Sequence, residues 1–352
     1  MRILGLIGSA RRLGNTEALV KEALLGAREA GAQAAVEAGA EAGAQAGAET
    51  VIQSETAVEV SLLRLTDLNI KPCRGCMSCV FGDGTCATKD DDMPYLLDLM
   101  LQADGVVIGA PTYILSPAAI IKLITDRFLM VAPRIRELRA KKRYAATINV
   151  AGLPSWDPFG SSMLNMFALA FQFELVDSVT AFSPGPGETL LDQKNIEAAH
   201  AAGQQLAEAA AGRGKKAGFA GGEGVTGVTG AAGAMQGSRR NVCPVCGNLY
   251  FAIFPDGKVT CPICGAEGRL VAGNAAGSGI GNAARSGPAA GGLTVEFPAS
   301  VHSTNRWAEE PLIRHVNDWI IASKDTYRQK RPAIKELLQK YQRLNDWWIK
   351  RD

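Results

Sequence analysis

All eight cysteines of this chain fall into two groups of four, and they are its most chemically capable residues. The first group, Cys73-Arg-Gly-Cys76-Met-Ser-Cys79 followed by Cys86, has the spacing C-x2-C-x2-C-x6-C. Three thiolates on one tight loop, with a fourth from nearby chain, suit a cubane [4Fe–4S] cluster. Structural zinc prefers two C-x2-C knuckles set apart by a longer spacer, and a dithiol redox pair needs only two cysteines. The rival reading is a cysteine-rich loop that holds no cluster.

The second group, Cys243-Pro-Val-Cys246 and Cys261-Pro-Ile-Cys264, is C-x2-C-x14-C-x2-C, with Gly247 and Gly265 after the knuckles. Four thiolates so spaced bind one metal ion tetrahedrally. Between them, Leu249 to Phe254 and Lys258 to Thr260 read as strands about the turn Pro255-Asp256-Gly257. The hairpin resembles a zinc ribbon, and the ligand set also resembles a rubredoxin-like module. Zinc would make it a fold staple or docking surface, and iron would make it a redox centre. The regular hairpin and the flexible linkers on both sides favour zinc, since such linkers leave an electron carrier at no fixed distance from other cofactors.

A third constellation lies at the N-terminus. The apolar run Arg2 to Ile7 ends in Gly8-Ser9-Ala10-Arg11-Arg12-Leu13-Gly14-Asn15-Thr16, just before a helical pattern. A loop entering a helix offers backbone N–H groups and the positive end of the helix dipole to an anion. Ser9, Asn15 and Thr16 add short donors and Arg11 or Arg12 a countercharge, which suits one terminal phosphate. Gly14-Asn15-Thr16 lacks the Gly-Lys-Ser/Thr of a triphosphate loop, and the G-x-G-x-x-G dinucleotide fingerprint is absent. Ala110-Pro111-Thr112-Tyr113 and Asn149-Val150-Ala151-Gly152 end two later strands at the same edge and offer an aromatic surface and a glycine for a ring system. His200, His302 and His315 have no partner at ligand spacing, and Asp90-Asp91-Asp92 reads as an acidic helix start.

The pattern GSxRxxGNT, a cysteine cluster after strand two, Asp91-Asp92-Met93, Ala110-Pro111-Thr112-Tyr113 and Thr125-Asp126-Arg127 together resemble the NADPH-dependent FMN reductase family, and within it the iron–sulfur flavoproteins. The resemblance runs over roughly residues 1–212, apart from an Ala/Gly-rich insertion at 30–54. It implies FMN phosphate bound by Ser9, Arg11, Asn15 and Thr16, and the isoalloxazine held by Pro111, Thr112, Tyr113 and Gly152. Leu115-Ser116-Pro117 departs from the small, glycine-containing stretch expected after the aromatic residue. The implied activity is flavin-dependent oxidoreduction, with electrons passing between FMN and the cluster and NAD(P)H or ferredoxin as partner. The alternatives are a cluster-free NAD(P)H-dependent FMN or quinone reductase, and a regulatory or scaffold protein binding through its metal module.

These residues need elements to position them. Strands are expected at Arg2–Ile7, Val58–Leu65, Gly105–Ala110, Tyr144–Val150 and Phe173–Phe182, alternating with helices at Thr16–Glu29, Asp91–Gln102, Met163–Phe171 and Asp192–Ala211. Ser116 is expected to cap a further helix, with Pro117 at its first position. Such alternation implies a doubly wound α/β, flavodoxin-like parallel sheet of order 2-1-3-4-5, with its ligand beyond the strand C-termini. The expected domains are a flavodoxin-like unit at 1–212, a linker at 213–240, the four-cysteine metal module at 241–271, a linker at 272–292, and a helical, Trp-rich tail at 293–352. Net charge is +2 over 352 residues, which makes no case for nucleic acid or an anionic membrane surface as partner. The longest apolar stretch is broken by Pro111 and Pro117, so no membrane span is expected. Paired cysteines without a remainder point to a reducing, cytoplasmic setting. The Trp-rich tail and a surface cluster lead us to expect a homo-oligomer.

Overall fold

The computed structural model describes residues 1–46, 58–154, 156–213, 242–272 and 293–322, and further on 324–325, 328–330 and 332. Residues 47–54 of the insertion, nearly all of both Gly-rich linkers, and Trp347 and Trp348 lie outside the described residues.

The main sheet is built from β1 (Arg2–Ile7), β2 (Glu59–Arg64), β3 (Gly105–Tyr113), the two-residue β4 (Ser116–Pro117), β5 (Tyr144–Ala151) and β6 (Glu174–Phe182). Its order is β2-β1-β3-β5-β6, with every neighbouring pair parallel. Setting aside β4, which only folds back on β3, this is the flavodoxin-like 2-1-3-4-5 order. The central strand β3 is buried on both faces over its first seven residues, hence its unbroken apolar run.

The helices are α1 (Asn15–Ala46), α2 (Ser78–Phe81), α3 (Met93–Gln102), α4 (Ala119–Thr125), α5 (Ile135–Ala140), α6 (Gly160–Ala170), α7 (Gln193–Ala210), α8 (Val301–Thr304) and α9 (Glu309–Arg314). One core joins the sheet to α1 and α7, through Leu19, Val20, Ala199 and Leu206 among others. The other joins it to α3, α4, α5, α6 and α9, around Met93, Ile121, Phe167 and Leu312. Small residues let α1 and α7 approach closely: a Cβ on Gly203 would lie 1.7 Å from the Ala23 carbonyl oxygen.

Three local expectations are corrected. Ser116 and Pro117 do not open a helix. They pair with Tyr113 and Thr112 across a two-residue turn, and α4 starts at Ala119. The acidic run does stand at the start of α3, with Asp92 as N-cap and Asp91 Oδ1 accepting from the Met93 N–H at 2.8 Å, but the helix begins at Met93 and not at Asp91, whose other oxygen meets Arg127 in a buried ion pair. Trp307 precedes the tail helix. Its ring lies edge-on to Phe128, and α9 continues into a π-helical turn, His315–Ile321.

The second cysteine group sits in a small antiparallel sheet of β7 (Ala252–Ile253), β8 (Lys258–Thr260), β9 (Glu267–Ala272) and β10 (Leu293–Glu296), in the order β10-β9-β8-β7. Gly257, at φ +78°, makes the turn between β7 and β8. No helix among the described residues is long and apolar enough to cross a membrane.

Candidate functional site

The loop from β1 into α1 is held by charge. Arg64, at the end of β2, donates to the carbonyls of Ser9 (2.8 Å) and Arg11 (3.1 Å) and to the Glu17 carboxylate (2.5 Å). Glu17 also accepts from Lys21 Nζ at 2.7 Å and from the Leu13 backbone N–H at 2.8 Å. The Lys21 ammonium and then the Arg64 guanidinium hold the Glu17 carboxyl down at about 2. Charge on Glu17 therefore fixes the curve of the loop. The first backbone N–H groups of α1 have no partner within the helix and open toward the loop. Ser9 and Thr16 are buried and Arg11 is exposed. Asn15 uses its side-chain amide elsewhere: Nδ2 donates to the carbonyls of Gly185 (2.8 Å) and Ser183 (3.3 Å) and so ties the loop after β6 to this edge.

The ends of β3 and β5 lie at the same sheet edge. Pro111 is buried, Thr112 half-buried, and Tyr113 exposed. Thr112 Oγ1 donates to Asn149 Oδ1 at 2.6 Å, and Asn149 Nδ2 donates to Asp157 at 3.1 Å. Burial pushes the Asp157 carboxyl up, against the opposing bond from Asn149. Gly160 closes this floor, since a Cβ there would lie 2.5 Å from Asn149 Nδ2. Gly152 is exposed, and a Cβ on it would meet nothing nearer than Pro184 Cα at 4.0 Å, so ring and backbone can come together there. The unusual stretch after Tyr113 is a strained turn with Ile114 at φ +46° and Leu115 at φ +71°. Left-handed backbone costs a non-glycine residue about 1–2 kcal/mol, and such strain concentrates at working sites. Both side chains are exposed, as are those of Leu153, Trp156 and Phe159 beside them.

The first cysteine group follows the C-terminal end of β2. Cys73, Cys76, Cys79 and Cys86 all line one concavity, together with Met77, Thr88, Arg127 and Met130. Left-handed backbone at Gly75 and Met77, both at φ +60°, winds the loop around it. The Gly75 N–H points at Cys73 Sγ (3.5 Å) and the Thr88 N–H at Cys86 Sγ (3.4 Å). Hydrogen bonds from Ser78 hold the Cys76 thiol below its ordinary range. Burial opposes ionisation at Cys86, but the Thr88 bonds and Arg127 outweigh it and draw that thiol down. Burial pushes the Cys79 thiol up. A shared cavity, N–H···S bonds and a nearby cation are what a thiolate-ligated polynuclear cluster requires.

In the second group all four cysteines are fully buried, and their Sγ atoms lie within 4.8 Å of one another. The two knuckles repeat one geometry. Gly247 N–H donates to the Cys243 carbonyl and Gly265 N–H to that of Cys261, at 2.9 and 2.8 Å, with the glycines at φ +67° and +71°. That spacing fits one ion and no larger group.

The small sheet is not a free appendage, as the flanking linkers implied. Ser162 on α6 donates to Asn248 Oδ1 at 2.7 Å, and Asn165 Nδ2 donates to the Cys246 carbonyl at 2.8 Å, both bonds being buried. Trp307 Nε1 donates to the Ile263 carbonyl at 3.3 Å, and Tyr250 meets the Phe159 ring at 6.4 Å. The module is therefore seated on the helix whose start closes the floor at Thr112 and Asn149.

Residues 1–154 match the family model described as NADPH-dependent FMN reductase. Over these residues the chain is similar to that family. An iron-sulfur flavoprotein of Archaeoglobus fulgidus is 38% identical over 95 residues, which is 27% of this chain and 45% of that protein. Another from Methanocaldococcus jannaschii is 26% identical over 215 residues, covering 59% of this chain and 96% of that protein. The chain thus spans less than half of the first relative and nearly all of the second. The solved structure of a flavone reductase shares the fold over 100% of this chain and 99% of its own, with a TM-score of 0.62 at 22% identity.

Spacing alone picked out both cysteine groups, and each is brought together in space. It missed Glu17 and Arg64, which shape the loop between β1 and α1, and Asn149 and Asp157, which form the floor. It also missed Ser162, Asn165 and Asn248, which seat the metal module. Each is a polar residue inside an otherwise apolar or helical pattern, and pairing across long sequence distance is invisible to periodicity.

Proposed function

We propose that this chain is an FMN-dependent oxidoreductase in which electrons pass between the flavin and a [4Fe–4S] cluster on Cys73, Cys76, Cys79 and Cys86, with NAD(P)H or ferredoxin as redox partner. The observation that carries the reading is the single concavity lined by all four of these cysteines, on the segment that follows the C-terminal end of β2. The naming of two relatives as iron-sulfur flavoproteins supports it. Bound FMN would supply two-electron chemistry toward a hydride donor and one-electron chemistry toward a cluster. The protein's part is to bind and orient. Ser9, Arg11, Asn15 and Thr16 take the phosphate, with the Asn15 backbone N–H as donor while its side chain braces the neighbouring loop. Pro111, Thr112, Tyr113 and Gly152 hold the ring, on the floor made by Asn149.

In the second cysteine group we propose zinc, as a staple that keeps the module rigid on α6. Iron is the second reading, because the Ser162 and Asn165 bonds give the module a fixed seat. Metal analysis of protein from its native host separates them, since an Fe(III)–thiolate centre is red. The exposed apolar rim of Ile114, Leu115, Leu153, Trp156 and Phe159 supports a homo-oligomer that covers it, and a monomeric mass by light scattering would count against that.

Iron, sulfide and flavin analysis of anaerobically purified protein tests the main reading. The expected result is flavin together with iron and sulfide in excess of any metal in the second site. Flavin without sulfide leaves a cluster-free reductase. The variant Arg11→Ala should weaken FMN binding while staying folded, and wild-type flavin affinity in it would overturn the phosphate assignment.

A further inference from the structure

Two motifs noted in the sequence, Asp91-Asp92-Met93 and Thr125-Asp126-Arg127, meet in space although their contacting residues are 36 apart. Arg127 is 1% exposed and is among the largest fully buried side chains described. Its Nη1 donates to Asp91 Oδ2 at 2.5 Å and to the Lys71 carbonyl at 2.8 Å, and Nη2 reaches Met130 Sδ at 3.4 Å. Arg127 lines the concavity with all four cysteines of the first group. Asp91 is equally buried but is not among the lining residues. The pair is thus oriented, with its positive end toward the cysteines and its negative end away.

Burying an arginine is costly unless it is paired, and a buried ion pair used only as a strut is often replaceable by apolar residues of similar volume. A strut also has no need to face the thiols. We propose that Arg127, positioned by Asp91, is the fixed countercharge of the first cysteine site and sets the reduction potential of the iron–sulfur cluster held there. This rests on the cluster reading above. Adding an electron makes a thiolate-ligated cluster more negative, and a buried cation beside it favours that state, so the potential rises. The guanidinium itself is buried, so water screens little of its charge. The bond to the Lys71 carbonyl, two residues before Cys73, ties the same guanidinium to the start of the ligand loop.

The test uses the full chain, purified and titrated anaerobically, with iron and sulfide content and an EPR-monitored midpoint potential measured for each variant. Arg127→Met, which removes the cation, should lower the potential. Asp91→Asn, which removes the opposing anion and leaves the cation, should raise it. Arg127→Lys should lie nearer the wild type than Arg127→Met. Shifts of opposite sign are what a countercharge demands and a strut does not. With iron content preserved, shifts of one sign or none overturn the proposal. If Arg127→Met fails to hold iron, Asp91→Asn decides alone, and an unchanged or lower potential there overturns it. Wild-type protein with no iron and sulfide at the first group defeats the cluster reading itself, a result distinct from unmoved potentials in iron-loaded protein.

Discussion

The two cysteine groups use the same ligand atom for opposite ends. In the second, four sulfurs are fully buried and lie within 4.8 Å of one another, inside a small sheet with few other core residues. In the first, Cys73 and Cys76 are exposed, Cys86 is half-buried and only Cys79 is buried, and the four surround a concavity. Contracted and closed, the second site suits one ion. Expanded and open on one side, the first suits a larger group that must remain in electronic reach of something else. The supports differ as well. The second group is steadied by backbone N–H to carbonyl bonds repeated in both knuckles, the first by charged side chains reaching in from distant elements.

That contrast can be broken or sharpened by experiment. The largest effect is expected from Cys261→Ala, which should lose the second site's metal entirely and make residues 242–272 protease-sensitive while flavin stays bound. Retention of the metal would mean the second group is not its ligand set. Cys76→Ala should abolish the first site's iron and sulfide but leave the second site's metal in place, as metal analysis would show. Loss of both metals together would contradict the independence of the two sites. Asn165→Ala should come next, at about 1–3 kcal/mol of stability, because it removes the buried bond to the Cys246 carbonyl and leaves the Thr147 hydroxyl with Ser178 Oγ as its remaining partner. Denaturant melts should show it together with faster exchange of module amides, but with the metal still held.

The smallest effect concerns the charge-held side. Glu17 has a carboxyl at about 2 in the folded protein and near 4.5 when unpaired, so its contribution is present above about 4.5 and fades as pH falls toward 2. Glu17→Gln should cost about 1–2 kcal/mol at neutral pH, as expected for a charge-assisted bond with one exposed partner. The gap between wild type and variant in melting temperature should close over that acid range. A pH-independent gap would show that the loop depends on Glu17 for packing and not for charge.

The sequence by itself determined the parallel sheet, the position of the loop between β1 and α1 and the division of the eight cysteines into two groups. Apolar runs such as Gly105 to Ala110 and C-x2-C spacings are local signals, written within a few residues by periodicity and by chain geometry. Boundaries such as β1 and β6 were legible for the same reason. Only the tertiary structure decided what surrounds the ligands. Ser116 and Pro117, helix-start residues by local preference, became a strand because Thr112 and Tyr113 offered them a partner across the Ile114-Leu115 turn. Asp91, one acid in a run of three, became a buried ion with Arg127 because α4 ends where α3 begins in space. The Gly-rich linkers promised a loose module, yet Ser162 and Asn165 seat it on α6. Hydrogen bonds and ion pairs between residues tens of positions apart depend on how elements are stacked, and no local pattern of residue types encodes that distance.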